Sequence, residues 1–191
     1  IERFRSRAMF AKSLAKLDGN FYCAYDEKTA IEYTETLHLL NEFEKTLEEG
    51  GLEIWYQPKY LVRDRRIGGA EALVRWRGRD GALISPGRFI PLLEEKGKIS
   101  RLDEYVFTQV CLQQKKWLEE GLPFVPVSVN VSRSSLLEPD IVRRYRQILD
   151  RTDADQSSVC LEITEDSVQT DVMGVIKSFR QEGFRMLMDD F

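Results

Sequence analysis

Hydrophobic and polar positions follow helix-like and strand-like spacings in turn, and this pattern divides the chain into three sections. In residues 1–27, apolar positions at helical spacing in RSRAMFAKSLAK predict a short helix, and the alternation in FYCAYD predicts a strand. In residues 28–51, Leu40, Phe43 and Leu47 continue an apolar stripe that predicts a connecting helix, with a Gly-Gly pair as its C-terminal cap.

The third section, residues 52–191, predicts a chain that alternates between strands and helices. Two strand patterns, LEIWYQP and IGGAEALVRW, are followed by three amphipathic helices, each leading into a short apolar strand: FVPVSVNVS, SVCLEITE and FRMLMDDF. Strands joined by such helices form a parallel sheet, so we expect an α/β fold, and both a barrel and a doubly wound sheet fit. The glycine fingerprints of dinucleotide and nucleoside triphosphate sites do not occur.

Composition excludes several classes of protein. The 191 residues are 42% hydrophobic and 31% charged, which is typical of a globular chain, and no apolar run approaches the roughly 20 residues of a membrane helix. The net charge of −4 argues against DNA as a partner. The chain has a single histidine, His38, so a His-rich zinc site is excluded. His38 lies off the apolar stripe of its helix, and we expect it on the surface. Cys23, Cys111 and Cys160 are widely spaced among apolar residues, which predicts buried thiols and a reducing, cytoplasmic location.

Polar residues stand at the ends of the last three predicted strands. Asn130 ends one, Glu162 lies in the next with Glu165 three residues on, and the Asp189-Asp190 pair ends the last. In parallel α/β folds such groups gather at the carboxyl ends of the strands, and clustered carboxylates need a neutralising cation. Oxygen ligands select Mg²⁺, Mn²⁺ or Ca²⁺. Any one acid could be an ordinary cap or surface charge, but three strands together favour a metal-dependent α/β enzyme.

A series of short motifs carries a family resemblance. The segment EALVRW at 71–76 resembles the signature of EAL domains, which are bacterial cyclic di-GMP phosphodiesterases. Further matches follow the family order: YQP at 56–58, LISP at 83–86, FIP at 89–91, VNVS at 129–132, LEITE at 161–165 and MDDF at 188–191.

The resemblance also implies a domain organisation. RAMFAKSLAKLDGNFYCAYD resembles the closing helix and strand of a GGDEF domain, so residues 1–27 are interpreted as its C-terminal remnant, 28–51 as a connecting helix and 52–191 as the N-terminal part of an EAL domain. A complete eight-stranded barrel takes roughly 250 residues. We therefore expect an incomplete TIM-like barrel with about five of the eight strands, one antiparallel strand near its start, and no turnover by this fragment alone.

The resemblance implies hydrolysis of cyclic di-GMP to linear pGpG with two Mg²⁺ or Mn²⁺ ions. An inactive cyclic di-GMP receptor or partner-binding scaffold is the alternative, a different metal hydrolase on a parallel barrel is a third reading, and the family allows a homodimer through the EAL domain. Arg75 could instead pair with a neighbouring acid. The implied roles are metal binding by Glu71, Asn130, Glu162, Asp189 and Asp190, catalysis by Glu71, Glu165 and Asp190, and substrate binding by Gln57 and Arg75.

Overall fold

The computed structural model describes residues 5, 7–9, 11–12, 24–165 and 171–189. The chain divides into two compact units, residues 1–45 and residues 46–191. In the first unit, positions 7–9 and 11–12 are helical, within the first predicted helix. The strand expected at 21–26 falls largely outside the described residues, and positions 24–26 have no regular secondary structure.

Helix α1 (Glu27–Glu49) occupies the range of the predicted connecting helix. It ends as the sequence indicates, because Gly50 adopts the left-handed region with φ of 73°. The N–H of Gly51 then donates to the carbonyl of Thr46 at 2.9 Å, which satisfies an otherwise unpaired carbonyl of the last turn. No helix among the described residues is long and apolar enough to cross a membrane.

The second unit is built around one mixed sheet. The elements of this unit are β1 (Leu52–Leu61), β2 (Arg66–Arg77), β3 (Leu83–Ile84), α2 (Pro86–Glu95), α3 (Ile99–Glu119), β4 (Val127–Asn130), α4 (Arg133–Leu136), α5 (Ile141–Thr152), β5 (Val159–Thr164), α6 (Met173–Gln181) and β6 (Arg185–Asp189). Strand β1 pairs antiparallel with β2. Strands β2, β4, β5 and β6 are parallel neighbours, the order across the sheet is β1-β2-β4-β5-β6, and the short β3 pairs antiparallel with the end of β2.

Helices α2 and α3 lie on one face of this sheet. Tyr56 of β1 packs edge-on against Trp117 of α3, and Trp76 of β2 packs against Phe89 of α2. Helices α5 and α6 continue the same layer, since Phe107 of α3, Tyr145 of α5 and Phe179 of α6 form an aromatic cluster with Phe184, which directly precedes β6. Parallel strands in sequential order with one helix layer are typical of a (β/α) barrel, whereas a doubly wound sheet reverses its order and carries helices on both faces. The expected α/β, TIM-like barrel fold with an antiparallel first strand is confirmed.

The apolar residues of the strands explain why the helices cover this face. Val159, Leu161 and Ile163 of β5 are buried on this face, and Val127 and Val129 of β4 are fully buried beside them. Cys111 and Cys160 are free, buried thiols, as expected, and burial raises the pKa of Cys111 to about 12. Cys23 lies outside the described residues.

Candidate functional site

The sheet face opposite the helices carries the polar side chains. Because successive side chains of a strand point to opposite faces, the odd positions of β2 lie opposite the helix-packed Trp76. Glu71 is therefore on the open face, and the register places it beside Gln57 of β1 and Ser128 of β4. Asn130 and Glu162 are direct partners on β4 and β5. The open face thus brings together residues from four neighbouring strands of the sheet, β1, β2, β4 and β5.

Glu71 and Asn130 are in direct contact. The amide Nδ2 of Asn130, the last residue of β4, donates to Oε1 of Glu71 at 2.9 Å. Glu71 is half-buried and Asn130 is exposed, so the pair sits where the sheet meets solvent. With its nitrogen committed to Glu71, Asn130 has its amide oxygen left to accept a donor or ligate a cation.

Glu162 is a nearly buried carboxylate that forms an ion pair with Lys59. Its side chain is 5% exposed, and the ammonium of Lys59 donates to both carboxylate oxygens, at 2.7 and 2.8 Å. Strands β2 and β4 lie between Lys59 and Glu162, so a flat sheet would hold β1 and β5 about 14 Å apart. The ion pair therefore requires the sheet to curl towards its open face, as barrel closure demands.

The two residues expected to bind substrate lie on the same face. Gln57 is exposed opposite Glu71. The guanidinium of Arg75 stacks over the indole of Trp55, 5.4 Å from the ring centroid, and donates to the carbonyl of Val74 at 2.9 Å. Stacking holds the planar guanidinium at the mouth of the sheet, where its remaining N–H groups suit a phosphate.

The other expected site residues are described only in part. Glu165 follows β5 in a short turn and is exposed. Asp189 ends β6, and its backbone pairs with Thr164 of β5. The Asp189 side chain and all of Asp190 lie outside the described part of the chain.

A buried carboxylate fixes the loop behind Asn130. Asp103 of α3 accepts hydrogen bonds from the N–H of Ser132 at 2.9 Å and from the hydroxyl of Ser135 at 2.6 Å. Ser132 also caps helix α4, because its hydroxyl accepts from the N–H of Ser135 at 3.1 Å. Burial raises the pKa of Asp103 to about 6, although these hydrogen bonds oppose the shift.

The described oxygen donors fit a hard divalent cation, although they form only part of a shell. Among the described residues, no three His, Cys, Asp or Glu side chains converge as a metal cluster. Glu71, Glu162 and the amide oxygen of Asn130 are nevertheless all oxygen ligands on one sheet face. The buried carboxylate of Glu162 requires a positive charge beside it, and the ammonium of Lys59 supplies one. This chemistry suits Mg²⁺, Mn²⁺ or Ca²⁺ rather than zinc or copper.

Sequence reasoning missed Lys59 and Asp103. Lys59 stands two residues after Gln57, so strand alternation alone places both on one face. Asp103 interrupts the apolar face of α3 between Leu102 and Val106, which are both buried. An acid at such a position signals a buried hydrogen-bonding role.

Comparison with known proteins decides the family. The family model described as the EAL domain matches residues 40–191, most of the chain. The chain belongs to the EAL-domain family. The chain is 31% identical over 175 residues to the bifunctional diguanylate cyclase/cyclic di-GMP phosphodiesterase MucR of Pseudomonas aeruginosa, covering 90% of this chain and 26% of MucR. It is 32% identical to the cyclic di-GMP phosphodiesterase PdeR of Escherichia coli, covering 89% of this chain and 26% of PdeR.

Solved EAL structures share the fold. The structure of the MucR phosphodiesterase in complex with c-di-GMP superposes with a TM-score of 0.74 at 32% identity, covering 82% of this chain and 64% of that one. The c-di-GMP complex of the Xanthomonas citri FimX EAL domain gives 0.72 at 18% identity, covering 82% and 62%, which shows the fold alone. The chain spans about a quarter of the length of its curated relatives.

Proposed function

We propose that the full-length protein hydrolyses cyclic di-GMP to linear pGpG at the open face of this sheet, with two Mg²⁺ or Mn²⁺ ions. The observation that carries the proposal is the meeting of Glu71, Asn130 and Glu162 at one sheet face in an EAL domain. Relatives at 31% and 32% identity are named as cyclic di-GMP phosphodiesterases.

The chain's own residues have distinct tasks in this proposal. Glu71, Asn130 and Glu162 would hold the cations, and Asp189 and Asp190 stay predicted ligands. Bound cations would neutralise the charge that builds on the phosphodiester as water attacks. Arg75 presents its fork, already oriented by Trp55, to a non-bridging phosphate oxygen, and Gln57 offers an amide to the substrate backbone. Glu165 stays a prediction as the residue that holds the loop after the Asp-Asp-Phe stretch at 189–191.

We also propose that residues 1–27 are the end of a GGDEF-like domain and that α1 connects it to the EAL domain. The match to MucR supports this, since it covers 90% of the chain and so extends well before residue 40. MucR is named as both a diguanylate cyclase and a phosphodiesterase. The homodimer and the cytoplasmic location stay predictions.

The direct experiment measures cyclic di-GMP hydrolysis by the full-length protein with Mg²⁺ or Mn²⁺, beside Glu71→Gln. We expect turnover to fall at least about 100-fold in Glu71→Gln, since loss of one ligand weakens the cation that offsets transition-state charge. Glu119→Gln, an exposed acid at the far end of α3, is the matched control and should keep full activity.

The same assay separates the alternatives. Tight binding of cyclic di-GMP without turnover would support a receptor instead of an enzyme. Turnover that Glu71→Gln leaves unchanged would refute the role of Glu71. Hydrolysis of other phosphodiesters in preference to cyclic di-GMP would refute the substrate and favour a different metal hydrolase.

A further inference from the structure

Lys59 forms an ion pair with Glu162, and the function proposed above assigns no role to this lysine. Its Nζ lies 2.7 and 2.8 Å from the two carboxylate oxygens of Glu162, so both oxygens are engaged. The Glu162 side chain is 5% exposed and that of Lys59 is 39% exposed. The lysine therefore reaches from the open side of the sheet to a carboxylate that water scarcely touches.

Burial explains why Glu162 needs this partner. A buried carboxylate without a counter-charge is strongly destabilising, and breaking a buried ion pair from one side leaves that charge uncompensated. In this structure, Lys59 supplies the positive charge. A divalent cation that binds Glu162 must approach the same two oxygens and would repel the ammonium at short range.

We propose that Lys59 is the resident counter-cation of Glu162, displaced when a divalent cation binds. The proposal rests on the metal site proposed above and adds a positioning residue, which stabilises Glu162 whenever no divalent cation is bound and lowers the metal affinity of the site. The ammonium of Lys59 can move away from Glu162 towards solvent, because the side chain is flexible and partly exposed on the open face. Metal loading is then an exchange of one cation for another on a fixed carboxylate.

The test is a titration of the full-length protein with Mn²⁺, following free Mn²⁺ by electron paramagnetic resonance, for the wild type and Lys59→Met. We expect Lys59→Met to bind Mn²⁺ about tenfold more tightly, because the competitor and its repulsion are gone. Lys115→Met is the matched control. It also removes one positive charge, but from an ion pair with Asp153, whose side chain is 86% exposed, and its Mn²⁺ affinity should equal that of the wild type.

The outcomes separate the inference from the metal site itself. If the wild type binds Mn²⁺ and Lys59→Met binds it equally or more weakly, the exchange is refuted while the metal site stands. If neither protein binds Mn²⁺, the metal site is refuted and the inference with it. Equal tightening in Lys115→Met would also overturn the inference, because the effect would then come from net charge alone.

Thermal unfolding keeps the inference testable if Lys59→Met is poorly folded without metal. Mn²⁺ should then restore its melting transition, with a larger upward shift than in the wild type. Lys59→Met combined with Glu162→Gln should fold without metal and lose most of the Mn²⁺ shift, because no buried charge remains. If Mn²⁺ fails to rescue Lys59→Met and the double variant stays unfolded, the lysine has a packing role and the inference is wrong.

Discussion

The pH dependence of stability offers a sharp prediction from Asp103. Burial raises the pKa of this carboxyl to about 6, from an ordinary value of 3.8. Asp103→Asn keeps the shape of the side chain and an oxygen that accepts from the N–H of Ser132, but removes the ionisation. The variant is therefore a permanent analogue of the neutral carboxyl.

The sign and size of the effect follow from proton linkage. Between pH 3.8 and about 6 the folded chain holds a proton that the unfolded chain releases. The stability contributed by the neutral carboxyl is thus fully present below pH 3.8 and is lost as the pH rises through about 6. Each pKa unit is worth about 1.4 kcal/mol, so the shift corresponds to a loss of about 3 kcal/mol.

Urea unfolding across this pH range measures the effect. The free energy of unfolding of Asp103→Asn minus that of the wild type should increase by about 3 kcal/mol between acidic and neutral pH, because only the wild type must bury a charge. Asp155→Asn is a control, since Asp155 also accepts a backbone N–H but is exposed, and the stability of this variant minus that of the wild type should not increase between acidic and neutral pH. A constant difference for Asp103→Asn, or one of opposite sign, would refute the assignment.

Two further stability changes can be measured by the same unfolding experiment. Gln114→Leu should lower the free energy of unfolding by about 2 to 4 kcal/mol, because the Gln114 amide donates to the carbonyls of Val125 and Ser158 at 2.8 and 2.9 Å. Gln113→Leu, at the neighbouring position of α3, is the control and should lower it by less than about 1 kcal/mol. Equal losses in the two variants would contradict this account. Tyr145→Phe should raise stability by about 1 kcal/mol, because its buried hydroxyl has no hydrogen-bond partner among the described residues; a loss of similar size would indicate a partner for that hydroxyl.

The elements were predictable because their signals are local. The helix from Glu27 to Glu49, its Gly-Gly end and the strands of the sheet follow from the spacing of apolar residues and from turn chemistry within a few positions. Asn130 and Glu162 also became neighbours as expected, since each stands near the carboxyl end of a parallel strand. The choice between a barrel and a doubly wound sheet needed the observed strand order.

The missed features depend on long-range geometry. Lys59 and Glu162 are 103 residues apart and meet only because the sheet curls across two intervening strands. The hydrogen bonds that Asp103 accepts from Ser132 and Ser135 depend on how α3 packs behind β4, and the spacing of apolar residues does not encode that packing. Helix α4 is a single turn of four residues, too short to produce a periodic pattern.

The most direct measurement is a crystal structure of the full-length protein with Mn²⁺, using the anomalous signal of manganese. The account predicts an anomalous peak about 2.1 to 2.2 Å from carboxylate oxygens of Glu71 and Glu162 and from the amide oxygen of Asn130, with Lys59 withdrawn from Glu162. A well-ordered open face with no manganese bound to these three residues would contradict the account.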